Sequence, residues 1–439
     1  MTEVPDIQVS VKGFRAIASA DIIINGITLA AGENGSGKSS ISKLLYFLYK
    51  TVADYEKIVN SGLASSLRDV VRLGEIIHQE NRIGSSSEEF DIMRKDLQEF
   101  RRSRIGELSS EQIGGKLTDL IEKLENKFYD LTTDDTSLMA SRKKARVKRI
   151  LADVTNSGEE SDENIQESFA RVKDLIAEEV HQAEMAIALR PTSVFIAELA
   201  DVFSEGDLPE KFEVLEYGSP IVALDIDHLS IPYNIQNVVY IDSPMMFHAD
   251  ISKNIHWEDL SELLSKTGGR THDIADIISR DILSGEVIVD EMFNSPDDFK
   301  FKRADGKIFD FIDVATGFKS FSILQLLLKN GTITDKTLMI IDEPESNLHP
   351  QWIIEYARII VMLNKEIGCK FFLASHNPDM VSAIRYISER QGSLDKVNFY
   401  LAEKSDYSFE YNYKHLGNEI DPIFASFNIA IDRINQYGI

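Results

Sequence analysis

An eight-residue motif near the N-terminus constrains the fold of this chain more than any other feature. Residues 32–39 read GENGSGKS, which matches the phosphate-binding pattern G-x-x-x-x-G-K-[S/T]. The apolar run before it, residues 24–30, is predicted to be a strand, and residues 40–49 have the apolar spacing of a buried helix. The glycines let N–H groups turn toward a phosphate, and the helix start adds further N–H groups. This context predicts a nucleotide site, with a flexible Gly/Ser linker as the alternative.

Individual residues of this segment are assigned to the nucleotide. Lys38 is expected to reach the β- and γ-phosphates, and the hydroxyl of Ser39 is expected to hold Mg²⁺. The other residues assigned to nucleotide binding are Asn34, Gly35, Ser36, Gly37 and Ser40.

An acidic motif, TLMIIDEPESNLHP, follows an apolar strand much later in the chain. Asp342 lies at the tip of that strand, where a buried carboxylate is costly unless it holds a cation, so it is predicted to bind Mg²⁺. Glu343, the next residue, is predicted to orient and polarise the attacking water. A strand that simply ends in a polar turn is the alternative interpretation.

Two further segments of the same half carry candidate residues. The apolar run KFFLAS is followed by His376, which is predicted to contact the γ-phosphate or the water; a structural histidine is the alternative. The segment ATGFKS opens an amphipathic helix, and its small residues could offer N–H groups to an anion. A helix N-cap at Thr316 explains the segment equally well.

The pattern along the chain predicts an α/β fold that is interrupted by helices. Strands precede the motif in residues 1–49, whereas residues 50–205 have few aromatic residues, many charged residues and helical periodicity. Apolar stripes over residues 117–131 and 165–180 predict antiparallel helices or a short coiled coil there. Strands and helices alternate over residues 206–439, which is typical of an α/β core.

Composition limits the possible partners. The formal net charge of −25 argues against a protein that coats DNA with its whole surface. With one cysteine, Cys369, and no signal peptide or membrane-spanning apolar run, the sequence predicts a cytoplasmic protein without an internal disulfide or a membrane partner. One basic stretch, residues 141–150, is either a solvated helix that balances acidic neighbours or a contact for a partner or nucleic acid.

The motifs, taken in order, carry a family resemblance. GENGSGKSS, a helical insert, ATGFKS, IIDEPESNLHP and LASHNP resemble the ABC-type ATPases of the SMC, RecF and OLD (overcoming-lysogenization-defect) group. The likeness covers about residues 1–49 and 237–385, and is greatest to standalone ATPases of bacterial anti-phage systems, the Septu- or PARIS-like ATPase components. It implies an ABC-type P-loop ATPase head that is split by an all-helical insert and that uses ATP and Mg²⁺.

The resemblance implies a signature turn and a dimer interface. Thr316, Gly317 and Lys319 would form the signature turn, which in the family acts on the nucleotide of the opposite subunit. This turn departs from the usual Leu-Ser-Gly-Gly pattern. Asn347 and His349 would lie at the interface between the two subunits.

The same resemblance gives the remaining site residues their roles. Glu343 would be the catalytic carboxylate and His376 the switch histidine. The glutamine loop of the family has no clear match, and Asp242 or Ser243 occupies the corresponding place.

The resemblance implies an ATPase that forms a nucleotide-dependent homodimer or larger homo-oligomer. It is expected to control a separate effector, most simply a nuclease, in anti-phage defence, because the segment after His376 is too short for the nuclease domain of OLD proteins. Asp225 and Asp227 have D-x-D metal spacing, but an ordinary alternating strand is predicted there. The alternatives are a RecF- or SMC-like DNA-repair ATPase that binds DNA directly, and a nucleotide-gated scaffold with negligible turnover.

Overall fold

The computed structural model describes residues 4–72, 108–132, 138–154, 165–203, 207–242, 255–266, 268, 272–289, 299–406, 408–425 and 436–437. It divides into two compact units, Met1–Ala53 with Phe195–Ile439, and Asp54–Val194. The first unit has the predicted α/β class, and the described elements of the second, here called the helical unit, are helices. Among the helices that the structure describes, none combines the length and the apolar character of a membrane span.

The elements are numbered here in chain order. The described strands are β1 (Ile7–Phe14), β2 (Ile17–Ile23), β3 (Ile27–Ala31), β4 (Lys211–Glu216), β5 (Ser219–Ala223), β6 (Asn237–Ile241), β7 (Gly285–Val289), β8 (Phe299–Arg303), β9 (Ile308–Asp310), β10 (Thr337–Asp342), β11 (Lys370–Ser375), β12 (Val397–Lys404) and β13 (Tyr411–Gly417). The described α-helices are α1 (Lys38–Ala53), α2 (Tyr55–Ser66), α3 (Ser110–Thr132), α4 (Leu138–Val154), α5 (Ile165–Leu189), α6 (Thr192–Phe203), α7 (Ile255–Ser265), α8 (Asp273–Ile277), α9 (Thr316–Lys329), α10 (Pro350–Met362) and α11 (Pro378–Gln391).

One curled sheet of ten strands organises the first unit, in the order β5-β4-β1-β2-β13-β12-β3-β11-β10-β6. The strands from β12 to β6 are parallel, and the other half is mainly antiparallel. Every residue of β3, β10 and β11 is buried, which is typical of parallel strands covered by helices on both faces. Because these strands run in one direction, the residues that follow β3, β6, β10 and β11 lie along one edge, here called the carboxyl edge.

Helices cover the parallel strands, and α1, α10 and α11 begin at the turns along the carboxyl edge. Helix α1 packs on β6, β10 and β11, and α9, α10 and α11 share one apolar core cluster with the strands. Helix α10 follows the N-cap residue His349, and α11 follows Asn377, whose side chain accepts hydrogen bonds from two backbone N–H groups. A proline occupies the first position of both helices, where its fixed φ suits the helix and its missing N–H costs nothing.

The strand that precedes the phosphate motif is shorter than predicted. Residues 24–30 were expected to form it, but β3 begins at Ile27, after a bend at Asn25 and Gly26. A Cβ on Gly26 would lie 2.6 Å from the carbonyl oxygen of Lys396. The bend therefore needs a residue without a side chain at this close approach to the backbone.

One other prediction differs in detail from the structure. The alternating strand that was expected to contain Asp225 and Asp227 ends at Ala223, so both acids lie in the turn that follows. A second, three-stranded sheet, β7-β8-β9, follows residue 285. Its strands β8 and β9 are joined by a turn at Gly306.

The helical unit has its own apolar core. Helices α2, α3 and α4 pack on α5. The predicted stripes are confirmed where they are described, because Leu117, Leu124, Phe169 and Ile176 are buried in one cluster. The side chains of residues 127–144, which include part of the basic stretch 141–150, lie outside the described residues.

Candidate functional site

The carboxyl edge brings together three segments that are far apart in the sequence. Ala31, the last residue before the phosphate loop, pairs with Ser375 at the end of β11. Asp342, the last residue of β10, pairs with Ala374. The phosphate loop (residues 32–37), the acidic turn after β10 and the turn after β11 are therefore neighbours. Ligands of open α/β sheets bind outside the carboxyl ends of the strands, so this edge is the candidate site.

The phosphate loop has a backbone that favours glycine at two positions. Gly35 and Gly37 have φ of 81° and 92°. A Cβ on Gly37 would also lie 2.6 Å from Cγ1 of Ile17, so there is no room for a side chain. The Tyr413 hydroxyl donates to the Ser36 carbonyl oxygen at 3.1 Å and fixes the loop. The other predicted residues of this segment lie in the loop or in the first turn of α1: Asn34, Ser39 and Ser40.

Lys38 is a buried cation enclosed by its own loop. Its Nζ donates to the carbonyl oxygens of Gly32 at 2.9 Å and Glu33 at 2.8 Å, and to the Ser36 hydroxyl at 3.3 Å. Burial lowers the pKa of Lys38, and the surrounding carboxylates, that of Asp342 first, oppose this effect. A buried ammonium among oxygen atoms suits an anionic ligand, because phosphate oxygens can replace the carbonyls as acceptors.

Asp342 is the most deeply buried acid of the carboxyl edge. Its carboxylate accepts hydrogen bonds from the hydroxyls of Ser42, Tyr240 and Ser39, with Tyr240 at 2.9 Å. Burial raises the pKa of Asp342 despite these donors, and the nearby charge of Asp242 raises it further. A carboxylate held beside a serine hydroxyl fits Mg²⁺, which takes hard oxygen ligands and completes its shell with waters and phosphates. No group of three or more His, Cys, Asp and Glu side chains in the described part of the chain is arranged to hold a metal ion alone.

Glu343 and His376 lie next to each other at the ends of adjacent strands. His376 Nδ1 is 3.7 Å from Oε1 of Glu343, and both side chains are partly exposed. Glu343 has φ of 50°, which is uncommon for a residue other than glycine, and its N–H donates to the Ala374 carbonyl oxygen at 2.8 Å. The Ser346 hydroxyl donates to Glu343 Oε2 at 2.9 Å. The two predicted catalytic residues are therefore close enough to act on one water.

Sequence reasoning missed Glu345, a buried carboxylate of the same turn. Its Oε1 accepts hydrogen bonds from the Ser375 hydroxyl at 2.9 Å and from the His376 N–H at 3.0 Å. Burial raises the pKa of Glu345. The sequence could have indicated Glu345 only through its position, since it follows Asp342 within the acidic motif. Tyr240 and Ser42 were also missed, although Ser42 lies one helical turn after Lys38.

The predicted signature turn lies at the start of α9. Thr316 begins the helix, and a Cβ on Gly317 would approach Leu348 at 3.2 Å and Trp352 at 3.3 Å. Lys319 is buried, with its Nζ 6.0 Å from the centre of the Phe311 ring, and burial lowers its pKa. Gly317 therefore lies against the start of α10. The role of this turn at the nucleotide of a second subunit stays a prediction.

The remaining predicted residues lie at or beside the carboxyl edge. Asn347 and His349 are exposed between β10 and α10, and Asn347 has φ of 60°. Asp242 directly follows β6, whose neighbour in the sheet is β10, whereas Ser243 lies outside the described residues. An acid at this position adds negative charge to the edge near Asp342.

Comparison with known proteins identifies the type of domain. A family model described as "AAA domain, putative AbiEii toxin, Type IV TA system" matches residues 28–382, which is most of the chain. No curated protein sequence matches. The match extends from β3 to α11 and so includes the phosphate loop, the acidic motif and His376.

Solved structures with some similarity are SMC heads and an ABC transporter subunit. The SMC head domain of Pyrococcus furiosus, solved with an extended coiled coil and the C-terminal domain of ScpA, is 11% identical over 98% of both chains, with a TM-score of 0.33. The SMC head domain of Thermotoga maritima is 10% identical over 93% of this chain and 98% of that one, with a TM-score of 0.36. The cbiO1 subunit of Clostridium perfringens, part of the cbiONQ transporter complex, is 14% identical over 55% of this chain and 78% of that one, with a TM-score of 0.25.

Proposed function

We propose that this chain, which belongs to the AAA domain family described as putative AbiEii toxin, type IV TA system, binds ATP and hydrolyses it. One observation carries the proposal: the strand pairing brings the buried ammonium of Lys38 to the same carboxyl edge as Asp342 and Glu343. A cation for the phosphates, a carboxylate for Mg²⁺ and a carboxylate for the water are what phosphoryl transfer to water requires.

Binding would exchange hydrogen bonds that the protein already makes. In the described structure Lys38 donates to carbonyl oxygens of its own loop, so the ammonium is satisfied before a ligand arrives. Phosphate oxygens would take over these donors, and the N–H groups of residues 34–40 would hold the other oxygens. Ser39 and Asp342 would hold Mg²⁺, which neutralises charge on the phosphates when it is bound.

Glu343 and His376 would act on the attacking water. Glu343, partly exposed beside the phosphate loop, would accept a hydrogen bond from the water and polarise it. His376, its neighbour, would contact the γ-phosphate or the same water. Removal of one positioned acid or base costs about 10²- to 10⁴-fold in rate, so both groups are open to test by substitution.

We also propose that ATP stabilises a head-to-tail homodimer or a larger homo-oligomer. The exposure of Asn347 and His349 beside the acidic turn supports an interface at this edge. The turn of Thr316, Gly317 and Lys319 would then contribute to the nucleotide bound by the other subunit. Because ATP would complete the interface, the stability of the dimer should follow nucleotide occupancy.

The biological role is proposed from the motifs rather than from the geometry. We propose that the protein acts in the cytoplasm as the ATPase component of an anti-phage system, of the Septu or PARIS kind, and controls a separate effector such as a nuclease. The description of the matched family, which mentions a toxin, is compatible with a defence role. A RecF- or SMC-like DNA-repair ATPase that binds DNA directly, or a scaffold with negligible turnover, is equally compatible with the fold and the site.

Phosphate release from ATP tests the enzymatic proposal. The purified chain should release phosphate with Mg²⁺ and not with excess EDTA, and the double variant Lys38→Ala/Glu343→Gln measures the contaminating background. Turnover at that background, together with ATP binding, would support the scaffold. Turnover without Mg²⁺ would contradict the roles of Ser39 and Asp342.

DNA binding measured over a series of salt concentrations distinguishes an ATPase that binds DNA directly from one that acts only through an effector. Direct DNA binding depends on counterion release, so the affinity in filter binding should fall steeply as salt is raised if the chain contacts the phosphates itself. An ATPase that acts only through an effector should retain no DNA in the absence of that effector. The genes adjacent to this one provide the first candidates for the effector.

A further inference from the structure

Glu345 is a buried acid at the site for which the proposed mechanism has no use. Its side chain is 4% exposed, and Oε1 is surrounded by donors of the turn after β11. Its Oε2 is also buried and has no hydrogen-bond partner among the described residues. A buried carboxylate oxygen without a partner is costly, so its presence in a native site calls for an explanation.

The neighbouring histidine has an unmet hydrogen-bond requirement of its own. Nδ1 of His376 is buried and makes no hydrogen bond within the described part of the chain. It lies 3.5 Å from Oε1 of Glu345 and 3.7 Å from Oε1 of Glu343. One ring nitrogen thus faces two carboxylates.

We propose that Glu345 is the positioning residue for His376: its carboxylate accepts a hydrogen bond from Nδ1–H and keeps that nitrogen away from Glu343. The inference rests on the proposed function, in which Glu343 must present its carboxylate to water. A neutral imidazole has a single N–H donor, so Nδ1 can satisfy only one of the two carboxylates. A bond to Glu345 leaves the Glu343 oxygens available and leaves Nε2 as the nitrogen that can contact the nucleotide or water.

The main-chain contacts of Glu345 support a positioning role. The same oxygen that faces Nδ1 also accepts from the His376 N–H and from the Ser375 hydroxyl, so it fixes the segment that leads into the Cα of His376. Partners that hold a functional histidine through its second nitrogen set its tautomer and orientation. Loss of comparable outer-shell partners in metal sites typically costs 10- to 100-fold.

Steady-state kinetics in two backgrounds test the proposal. Glu345→Ala should lower kcat about 10- to 100-fold with little change in KM, and Glu345→Gln by a smaller factor, since an amide oxygen still accepts hydrogen bonds. In the His376→Ala background the same substitutions should have no further effect on kcat, because residues that act through each other are not additive. Glu355→Gln, which changes a more exposed acid on α10, is the matched control.

Equal losses of kcat in the two backgrounds would overturn the proposal and leave Glu345 a purely structural residue. A loss confined to KM or to thermal stability would also overturn it. If Glu345→Ala does not fold, the comparison is made with Glu345→Gln alone, which keeps the volume and the acceptor of the native side chain.

A spectroscopic measurement tests the same contact without relying on hydrolysis. The ¹⁵N shifts of labelled histidine report which ring nitrogen carries the proton, and the His376→Ala spectrum identifies the signal of this residue. The native protein should show the proton on Nδ1, and Glu345→Gln should shift the population toward Nε2. A native signal with the proton on Nε2, unchanged in the variant, would refute the proposal even if the chain proves not to hydrolyse ATP.

Discussion

The carboxyl edge buries several of its charged side chains, whereas the described part of the helical unit buries none. The edge contains three buried charged residues, Lys38, Asp342 and Glu345. The charges of the two acids favour the charged form of the lysine. The buried polar groups of the helical unit include a neutral pair, in which the Ser110 hydroxyl donates to Asn60 Oδ1 at 2.8 Å.

This difference shows which region is organised for chemistry. Burial opposes the charged forms at the edge, since it lowers the pKa of Lys38 and raises those of Asp342 and Glu345. Such an arrangement reduces stability, and perturbed charges in one cleft are typical of functional sites. The described part of the helical unit buries no charged side chain. We therefore expect substitutions of its charged residues to change the binding of partners rather than the rate of ATP hydrolysis.

The largest expected effect follows from removal of the cation at the edge. Lys38→Ala should abolish ATP binding, because the phosphates lose their main positive charge while the apolar core is unchanged. Thermal unfolding with and without Mg²⁺ and ATP measures this as the loss of the ligand-dependent shift. Lys43→Ala, also on α1 but outside the loop, is the matched control. An undiminished shift in the Lys38 variant would remove Lys38 from the site.

The next largest effect separates binding from hydrolysis at the same edge. Glu343→Gln keeps the shape and one acceptor oxygen but loses the charge that polarises water, so kcat should fall by about 10²- to 10⁴-fold while ATP still binds. The ATP-bound dimer should then accumulate, which light scattering after size exclusion would detect. Normal turnover would reject Glu343 as the catalytic carboxylate. Slow turnover with an unchanged assembly would reject the dimerisation switch alone.

The sequence predicted the parts of the edge that local rules determine. A glycine-rich loop between an apolar run and an apolar-periodic helix needs no distant partner to be recognised, and this places Lys38. The strand before Asp342 is likewise visible as an apolar run that ends in acids. The α/β class followed from the alternation of such runs with helical patterns.

Contacts across the sheet could not be predicted in this way. Glu345 meets His376 only because β10 and β11 are adjacent and pair Asp342 with Ala374. Tyr240 reaches Asp342 for the same reason, through the pairing of β6 with β10. Strand order and register are set by tertiary packing, which no short motif encodes. The proposed role of the signature turn would require a second subunit, and no short motif predicts the contacts between subunits.

A smaller effect is expected from removal of the buried carboxylate charge. Because the folded pKa of Asp342 is raised, the folded chain binds this proton more readily than the unfolded chain does, and stability falls as pH rises from about 4. Asp342→Asn should therefore stabilise the nucleotide-free protein at pH 7, by on the order of 1 kcal/mol, with a smaller gain at acidic pH. Urea unfolding in EDTA at several pH values measures this. A variant less stable than the native chain at pH 7 would show that the charge is favourable in the folded state.

The smallest effect on the reaction is expected from the helical unit. Arg146 and Arg149 are exposed on α4, whereas Val147 on the same helix is buried in the apolar core, so reversal of both charges spares the packing. Arg146→Glu/Arg149→Glu should leave stability within about 0.5 kcal/mol and kcat unchanged. Binding of a partner or of nucleic acid should weaken more than in the control Lys116→Glu/Lys123→Glu, which makes the same change of charge on the exposed side of α3. Equal binding by both variants would favour a solvated helix for the basic stretch, and a loss of kcat confined to the arginine variant would overturn the distinction between the two regions.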